Sequence, residues 1–364
     1  MNILHFAPIN HSVPNGFRFS VPGLVSAQNR LPGVEACLVN IGDVAKLDYS
    51  EVSKFDFEFL PKADRIRDML KVYRPNIVVF HGVYHTQYLR LASNMLKARV
   101  PYVVVPRSSL TSGAQQQKKF KKILGNRLFF QKFIRGAAAI HYLTENEYQT
   151  SSDFNHRHFI VGNGVDIPEF SKKHTSNVLR MTFIGRYNVY HKGLDVMMEC
   201  INSVKDHLFD CNVEIDLYGS NSEGGQDFLK EFIHSNDLEG MCHLHGPIYG
   251  PDKQEVLNST DIFLATSRFE GHPMAVLEAM AHGVPCIVTP GTNVQDVVDN
   301  YDAGWCPAFD RADISNAIVH AVQDRSQIIA KGGNARRLAE DRFSWHKIAA
   351  MTIEEYQRIL STEK

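Results

Sequence analysis

The sequence predicts an α/β fold made of two domains, each built around a parallel sheet. Its 364 residues are too many for one ordinary core and suit two. Short β-branched runs alternate with helix-length segments almost throughout, the pattern that builds parallel sheets with crossover helices. Several runs are apolar at consecutive positions, which indicates strands covered on both faces. A hydrophobic content of 44% with 22% charged residues is typical of a folded protein.

The predicted strands fall into two series. The first comprises residues 3–7, 35–40, 76–80, 102–105, 138–143 and 159–161. The second comprises residues 179–185, 213–218, 243–245, 262–265 and 286–288. Between the two series, turn residues from Asn163 to Pro168 precede a polar stretch, as expected of a connection between domains. We therefore predict domains at 1–164 and 165–344, followed by an amphipathic helix that begins at Trp345.

Several classes of protein are not expected. The longest apolar runs fall far short of the roughly 20 residues that span a bilayer, and no secretory signal is recognisable at the N-terminus. The six cysteines are scattered without a C-x-x-C pair, which favours a reducing cytoplasm and no metal. The sequence also lacks G-x-G-x-x-G after the first strand, G-x-x-x-x-G-K-[ST], H-E-x-x-H and any Asp-x-Asp pair. We therefore expect neither a cofactor nor a metal-dependent mechanism.

Basic residues are concentrated in the first domain. Between Asp68 and Glu145 there is no acidic residue, whereas thirteen are basic. The densest part, from Gln115 to Arg135, predicts a helix with one basic and one apolar face. Such a helix binds an anionic membrane at about 1 kcal/mol per Lys or Arg near the surface. An ordinary crossover helix with solvated lysines is the alternative, and no nucleic-acid partner is expected because no recognised binding module accompanies the charge.

Residues 267–283 are the most informative segment. A strand at 262–265 is followed by a turn at Glu270, Pro273 suits the first helical position, and Gly283 suits the C′ position. The start of this helix lies at the carboxyl end of a strand, where open α/β sheets bind ligands. Free N–H groups are expected there to bind a phosphate, and they belong to Met274, Ala275 and Val276.

Two carboxylates, Glu270 and Glu278, lie eight residues apart in this segment. A carboxylate accepts hydrogen bonds from vicinal hydroxyls, so one acid is suited to a sugar and the other to a ribose. The E-x7-E run, with its Gly and Pro spacing, resembles the signature of the retaining nucleotide-sugar glycosyltransferases called glycosyltransferase family four. The resemblance implies donor contacts from the segment, namely Gly271, His272, Pro273, Met274, Ala275, Val276 and Glu278, with Glu270 as a catalytic residue.

The same resemblance implies the GT-B fold. In that fold two Rossmann-like domains face each other across a cleft, the first binding the acceptor and the second the nucleotide-sugar donor. A C-terminal helix, here about 345–364, crosses back to the first domain. Asn163-Gly164-Val165-Asp166 resembles the interdomain N-G-V-D of the family, and Phe343-Ser344-Trp345 resembles its F-S-W.

A second motif supports the resemblance. Phe183-Ile184-Gly185-Arg186, followed by His191-Lys192-Gly193-Leu194-Asp195, resembles the G-R…K-G-x-D element of the family. The resemblance implies that Arg186 and Lys192 bind the donor diphosphate, and two fixed cations would stabilise the leaving group as a metal does elsewhere. Further donor contacts are implied at strand ends, at Gly185, Gly219, Ser220 and Gly246.

The first domain departs from the family pattern. The loop after the first strand, which is often Gly-rich, offers only Gly16. Val105-Pro106-Arg107-Ser108-Ser109-Leu110 resembles a P-R-G-x-L variant with Ser108 in place of Gly, and it puts Arg107 where many members have a His. A guanidinium cannot act as a general base, so we assign Arg107 to phosphate or acceptor contact. His81 and His85 are further cleft candidates, with a structural role at the strand end as the alternative.

Together with the absence of an Asp-x-Asp pair, the resemblance implies a metal-independent retaining hexosyltransferase. The expected donor is a UDP- or GDP-sugar, and the expected acceptor is a hydroxyl of a glycan, carried on a polyprenyl diphosphate during assembly of a surface polysaccharide such as lipopolysaccharide. The expected location is the cytoplasm, with peripheral binding to the inner membrane face. Two alternatives stay open: a nucleotide-sugar 2-epimerase of the same fold, and a non-catalytic subunit that binds nucleotide sugar.

Overall fold

A computed structural model of the chain describes residues 1–9, 17–42, 66–116, 125–152, 157–169 and 177–362. The chain divides into two compact units. The first comprises Met1–Gly164 together with Trp345–Lys364, and the second comprises Val165–Ser344. The division falls beside Gly164, the residue at which we placed the end of the first domain.

The first unit contains a six-stranded sheet in the order β2-β1-β3-β4-β5-β6, and all of its strand pairs are parallel. The strands are β1 (Asn2–Ala7), β2 (Glu35–Asn40), β3 (Ile77–His81), β4 (Tyr102–Val105), β5 (Ala139–Tyr142) and β6 (His158–Ile160). Every residue of β3 and β4 is buried, as predicted for strands covered on both faces.

Helices cover both faces of this sheet. They are α1 (Phe17–Asn29), α2 (Ile66–Tyr73), α3 (Thr86–Lys97), α4 (Ser112–Gln116), α5 (Gln131–Arg135) and α6 (Glu145–Thr150), with a π-helix at Asn126–Phe130. Alternate residues of β1 pack into the hydrophobic cores on opposite faces of the sheet. Ile3 belongs to the core that contains Val25, and Leu4 to the core that contains Tyr88. Of the helix predicted from Gln115 to Arg135, residues 117–124 lie outside the described residues.

The second unit repeats this architecture, with the parallel strand order β12-β11-β10-β7-β8-β9. Its strands are β7 (Leu179–Ile184), β8 (Val213–Tyr218), β9 (Cys242–His245), β10 (Ile262–Ala265), β11 (Cys286–Val288) and β12 (Gly304–Trp305). The two residues of β12 were not predicted, because they are too short to form a recognisable apolar run.

Nine α-helices are described in this unit. They are α7 (Val189–Lys192), α8 (Leu194–Ser203), α9 (Lys205–Asp210), α10 (Gly225–Ser235), α11 (Gly250–Ser259), α12 (Met274–Ala281), α13 (Gln295–Asn300), α14 (Arg311–Gln323) and α15 (Arg325–Leu338). A 3₁₀ turn at Pro290–Thr292 and a π-helix at Ala339–Phe343 complete the described elements.

The C-terminal helix α16 (Trp345–Thr362) returns to the first unit and packs on α1. Its first residue, Trp345, lies against Gly23 and Gly164, where a Cβ atom would overlap the indole ring. This contact joins the Gly of N-G-V-D to the Trp of F-S-W, so the predicted return of the helix is confirmed. Within the described residues, no helix has the length and apolar character needed to cross a membrane.

Candidate functional site

The candidate site lies where the second sheet changes its direction of winding. The chain starts this sheet at β7, proceeds to β8 and β9 on one side, and then crosses to β10 on the other side. Ligands of open α/β sheets bind at the carboxyl ends of the strands beside such a reversal. The loops that follow β7 and β10 are therefore the expected walls of a ligand site.

These two loops are in direct backbone contact. Gly193 has a φ of 62°, and a Cβ atom there would overlap the carbonyl oxygen of Thr266. The Thr266 hydroxyl donates to the carbonyls of Lys192 at 3.3 Å and Gly193 at 3.2 Å. Glycine is required at position 193 both for its left-handed backbone and for this close approach. The G-R…K-G-x-D loop is thus fixed against the strand that leads into E-x7-E.

Lys192 and Glu270 meet across the two loops. The Lys192 ammonium forms an ion pair with Glu270 Oε1, and their side chains are 19% and 18% exposed. Ser267 Oγ donates to the same carboxylate oxygen at 3.1 Å, and the Asn293 side chain donates to the Glu270 carbonyl. Glu270 is therefore oriented through both its side chain and its backbone, which is the kind of support a preorganised site needs.

Arg186 is exposed on the same loop, directly after Gly185. Within the described ranges its side chain has neither an ion pair nor a hydrogen bond, so the guanidinium is available to a ligand. It influences the site electrostatically: burial lowers the pKa of His191, and the charge of Arg186 lowers it further. Arg186 also begins close to Lys192, because a Cβ atom at the preceding Gly185 would lie 3.5 Å from Lys192 Cε. We therefore group Arg186 with the Lys192–Glu270 ion pair as the charged cluster of this site.

Glu278 lies on α12, and its carboxylate is paired with the ammonium of Lys253 on α11. Both acids of the E-x7-E run therefore have a lysine partner. Two expectations about the start of α12 were wrong. Pro273 precedes the helix rather than opening it, because its ψ of 80° is not helical. The N–H groups of Met274 and Val276 are not free either, since they donate to the carbonyls of His272 at 3.0 Å and Pro273 at 2.9 Å.

The other predicted donor residues in the second unit lie at strand ends or in the loop after β10. Gly219 follows β8, and a Cβ atom there would overlap the Gly185 carbonyl, while Ser220 accepts a bond from Tyr187 N at 2.9 Å. Gly246 follows β9 and is exposed, with open space where a Cβ would stand. Gly271 and His272 are half-buried, and the His272 ring lies 5.8 Å from that of Phe343.

Of the acceptor-side candidates in the first unit, His81 has the structural environment that was the alternative for it. It is the last residue of β3 and is completely buried. His85 is half-buried at the start of α3, and its ring contacts Tyr88 edge-on. Arg107 is half-buried, with Nη1 donating to Ser20 Oγ at 2.9 Å and to Asn163 Oδ1 at 3.4 Å. Gly16 lies outside the described residues.

A chain of buried hydrogen bonds explains why His81 is unsuited to proton transfer. Gln28 Nε2 donates to Thr352 at 3.1 Å, so its Oε1 faces His5 Nε2 at 2.8 Å and that nitrogen carries a proton. His5 Nδ1 then accepts from His81 Nε2 at 3.0 Å, and His81 Nδ1 accepts from Arg107 at 3.4 Å. Both ring nitrogens of His81 are occupied, and burial keeps its pKa well below the ordinary value.

Some contributors to the site were missed. Asp195 belongs to the predicted G-R…K-G-x-D element, but its partner Arg268 was not singled out, although Arg268 lies within the informative segment. Lys253 belongs to no motif, and Ser267 and Asn293 are supporting residues without a recognisable pattern. No group of three or more His, Cys, Asp or Glu side chains among the described residues is placed to hold a metal ion.

Comparison with known proteins identifies the architecture. Residues 179–324 match the family described as Glycosyl transferases group 1. Anabaena HepE, solved with UDP and glucose, superposes with a TM-score of 0.74 over 98% of this chain and 100% of its own, at 17% identity. The fold is GT-B. The family match and the Lys192–Glu270 pair both lie in the second unit.

Two curated relatives match part of the sequence of this chain. The D-inositol 3-phosphate glycosyltransferase of Arthrobacter sp. (strain FB24) is 24% identical over 57% of this chain and 51% of its own. The N,N'-diacetylbacillosaminyl-diphospho-undecaprenol α-1,3-N-acetylgalactosaminyltransferase of Campylobacter jejuni is 27% identical over 47% of this chain and 43% of its own. The chain thus spans about half the length of the curated relatives that it matches.

Proposed function

We propose that this chain is a retaining glycosyltransferase that moves a hexose from a UDP- or GDP-sugar to a hydroxyl of a glycan acceptor. One observation carries the proposal: Lys192 and Glu270, from two adjoining loops at the sheet reversal, form an ion pair, and the exposed Arg186 lies on the loop of Lys192. That cluster lies in the segment that matches the group 1 glycosyltransferases. It offers cations for a diphosphate and an oriented carboxylate for sugar hydroxyls.

Donor binding would exchange the partners of this cluster. A diphosphate attracts the Lys192 ammonium and the Arg186 guanidinium, which donate charge-assisted hydrogen bonds to its oxygens. As Lys192 turns to the phosphate, Glu270 is released to accept hydrogen bonds from the sugar. The same two cations would then stabilise the charge that develops on the leaving diphosphate, without a metal ion.

Retention would follow from attack on the face that the leaving group occupies. The acceptor oxygen forms the new bond to the anomeric carbon as the bond to the diphosphate breaks, and a phosphate oxygen takes the acceptor proton. This route needs positioning and electrostatic stabilisation rather than a protein base. It suits a chain in which His81 is buried with both ring nitrogens engaged.

We further propose a polyprenyl-diphosphate-linked acceptor, as in the assembly of a surface polysaccharide, and binding to an anionic membrane. The name of the Campylobacter jejuni relative places diphospho-undecaprenol in the substrate of that protein. On the first unit, Lys132 and Arg135 of α5 are exposed beside Phe129, which is 55% exposed. Vesicles containing phosphatidylglycerol should bind the protein in flotation and release it at about 1 M salt, where the Debye length is about 3 Å.

A thermal-shift screen of UDP-, GDP- and ADP-sugars tests the proposed function. A donor at about 100 times its Kd stabilises a protein by about 2.7 kcal/mol. The donor found is then incubated with lipid-linked glycan acceptors, with and without EDTA. A product that keeps the anomeric configuration of the donor, formed equally with EDTA, is expected. A changed sugar without an acceptor would show the 2-epimerase instead, and binding without any product would show the non-catalytic subunit.

A further inference from the structure

A third cation, Arg268, lies in the same segment but has a different environment. Its Nη1 and Nη2 each lie 2.7 Å from one carboxylate oxygen of Asp195. Nη1 also donates to the Tyr190 carbonyl at 3.0 Å, and the guanidinium lies 4.7 Å from the Tyr190 ring centroid and 5.1 Å from that of Phe309. Asp195 thus occupies the edge of the Arg268 guanidinium and two aromatic rings lie near it, whereas Arg186 is exposed.

The Arg268–Asp195 pair joins the two loops that carry the candidate site. Asp195 is in the first turn of α8, three residues after Lys192, and Arg268 is two residues before Glu270. The backbone strengthens this connection, because the Arg268 N–H donates to the His191 carbonyl at 3.0 Å. Burial opposes the charge on Asp195, but the hydrogen bonds from Arg268 hold the pKa of this carboxyl below its ordinary value.

We propose that Arg268 and Asp195 are positioning residues that set Lys192 against Glu270, and that Arg268 makes no contact with the donor. The geometry favours this role because a bidentate guanidinium–carboxylate pair fixes direction as well as distance. A lysine ammonium is a single flexible point charge and cannot reproduce it. The catalytic readout below rests on the proposed function, whereas the exchange readout does not.

The same helix provides a matched control. Glu199 lies one turn after Asp195 on α8 and forms an ion pair with Arg311 at 2.5 Å. The Arg311 side chain is 69% exposed, and exposed pairs contribute roughly 0–1 kcal/mol. Asp195→Asn and Glu199→Gln therefore remove the same charge from neighbouring turns of one helix. Only the first should disturb Lys192.

The decisive test measures donor kcat/KM for Asp195→Asn, Arg268→Lys and Glu199→Gln, each alone and combined with Lys192→Met. Asp195→Asn and Arg268→Lys should lower kcat/KM by about tenfold in the native background, but by less than about twofold in the Lys192→Met background, because they act through Lys192. Glu199→Gln should change it by less than about twofold in both. Equal losses in the two backgrounds, or no loss in the native background, would overturn the proposal.

Hydrogen–deuterium exchange provides a readout that needs no substrate. Asp195→Asn should accelerate amide exchange in both loops, residues 186–193 and 266–271, whereas Glu199→Gln should leave both unchanged. Unchanged exchange in Asp195→Asn would overturn the positioning role even if the chain proves to bind no nucleotide sugar. If the native protein binds no donor but Asp195→Asn accelerates exchange as expected, only the proposed function is contradicted.

Discussion

The ammonium of Lys192 is paired with the carboxylate of Glu270 across the loops that follow β7 and β10. The ammonium of Lys253 is likewise paired with Glu278, so each acid of the E-x7-E run has a lysine counter-charge. In the proposed exchange the Lys192 ammonium turns to the diphosphate and sugar hydroxyls donate to Glu270, whose orientation Ser267 and Asn293 maintain. The proposed donor binding therefore depends directly on the ion pairs of the fold.

Removal of either loop cation should impair transfer. Arg186→Ala and Lys192→Ala are each expected to lower kcat by about 10² to 10³, the range for deleting one preorganised group that stabilises developing charge. Initial rates at saturating donor measure this effect. Lys230→Ala, which removes an exposed lysine from α10 of the same unit, is the control and should retain native turnover. Near-native rates in both cation variants would refute the assignment.

Replacement of Lys253 should weaken the proposed contact of Glu278 with the ribose of the nucleotide and leave the contacts with the diphosphate unchanged. Lys253→Met removes the partner that orients Glu278, and we expect it to weaken binding of the ribonucleoside diphosphate by about fivefold, equivalent to about 1 kcal/mol. Binding of the 2′,3′-dideoxy analogue, which has no hydroxyls for Glu278, should be unchanged. Calorimetry with both ligands separates the outcomes, and an equal loss for the two ligands would show that Lys253 acts elsewhere.

The turn at Arg107 and Ser108 stores backbone strain. Both residues have positive φ, 51° and 65°, and the Ser108 N–H donates to the buried carboxylate of Glu147. Left-handed non-glycine residues cost of order 1–3 kcal/mol, so Ser108→Gly should stabilise the chain by about 1 kcal/mol after the higher backbone entropy of unfolded glycine is subtracted. Urea unfolding measures the difference.

Ser109→Gly is the matched comparison for this prediction. Ser109 is not among the residues with positive φ, and its hydroxyl donates to the Pro106 carbonyl at 2.5 Å. Its replacement should therefore destabilise the chain. If Ser108→Gly destabilises as much as Ser109→Gly, the strain at position 108 is compensated and the prediction is wrong.

Acid should destabilise the first unit through its buried histidines. Burial lowers the pKa of His5 and of His141 to about 4, whereas histidines of an unfolded chain titrate near 6.5. The unfolded state therefore binds more protons between these values, and stability falls as the pH falls from about 6.5 to about 4, by about 3 kcal/mol for each of the two. Glu147, whose pKa is raised mainly by burial, offsets part of this loss.

Tryptophan fluorescence in a Trp305→Phe variant isolates this effect, because Trp345 then reports on the first unit alone. Urea midpoints are compared near pH 5 and near pH 7.5. The ring nitrogen Nε2 of His141 lies 2.7 Å from the Val161 carbonyl. In the same background, His141→Gln keeps an N–H donor for this carbonyl and removes one titrating group. It should flatten the pH dependence; an unchanged slope would exclude His141 as a source.

Much of the fold could be predicted because buried parallel strands are nearly continuous apolar runs. The four residues of β4 were predicted at their observed bounds, and all are buried. Lys192 and Glu270 could be singled out because their segments resemble two motifs of glycosyltransferase family four. The two segments meet because they follow neighbouring parallel strands, β7 and β10. The start of α12 was misplaced by one residue, because proline is common at the first helical position whereas Pro273 has a ψ of 80° and precedes the helix.

The partners of the charged residues could not be predicted. Lys253 is 25 positions from Glu278, and Arg268 is 73 positions from Asp195, so these pairs depend on how α11 and the loops pack. His81 was a cleft candidate because a polar residue at a strand end suggests a ligand site, with a structural role at the strand end as the alternative. Its actual partner, His5, lies on the neighbouring strand β1, 76 positions away, and only the folded register brings the two rings together.

Calorimetric titration of UDP and GDP into the native chain and into Lys192→Met tests the central claim most directly. A charge-assisted hydrogen bond contributes about 1.5–3 kcal/mol, so one of the two diphosphates should bind the native chain, and the variant should bind it about 10- to 150-fold more weakly. Equal affinity of the two proteins for that nucleotide, or no binding of either nucleotide to the native chain, would contradict a donor site built on Lys192 and Glu270.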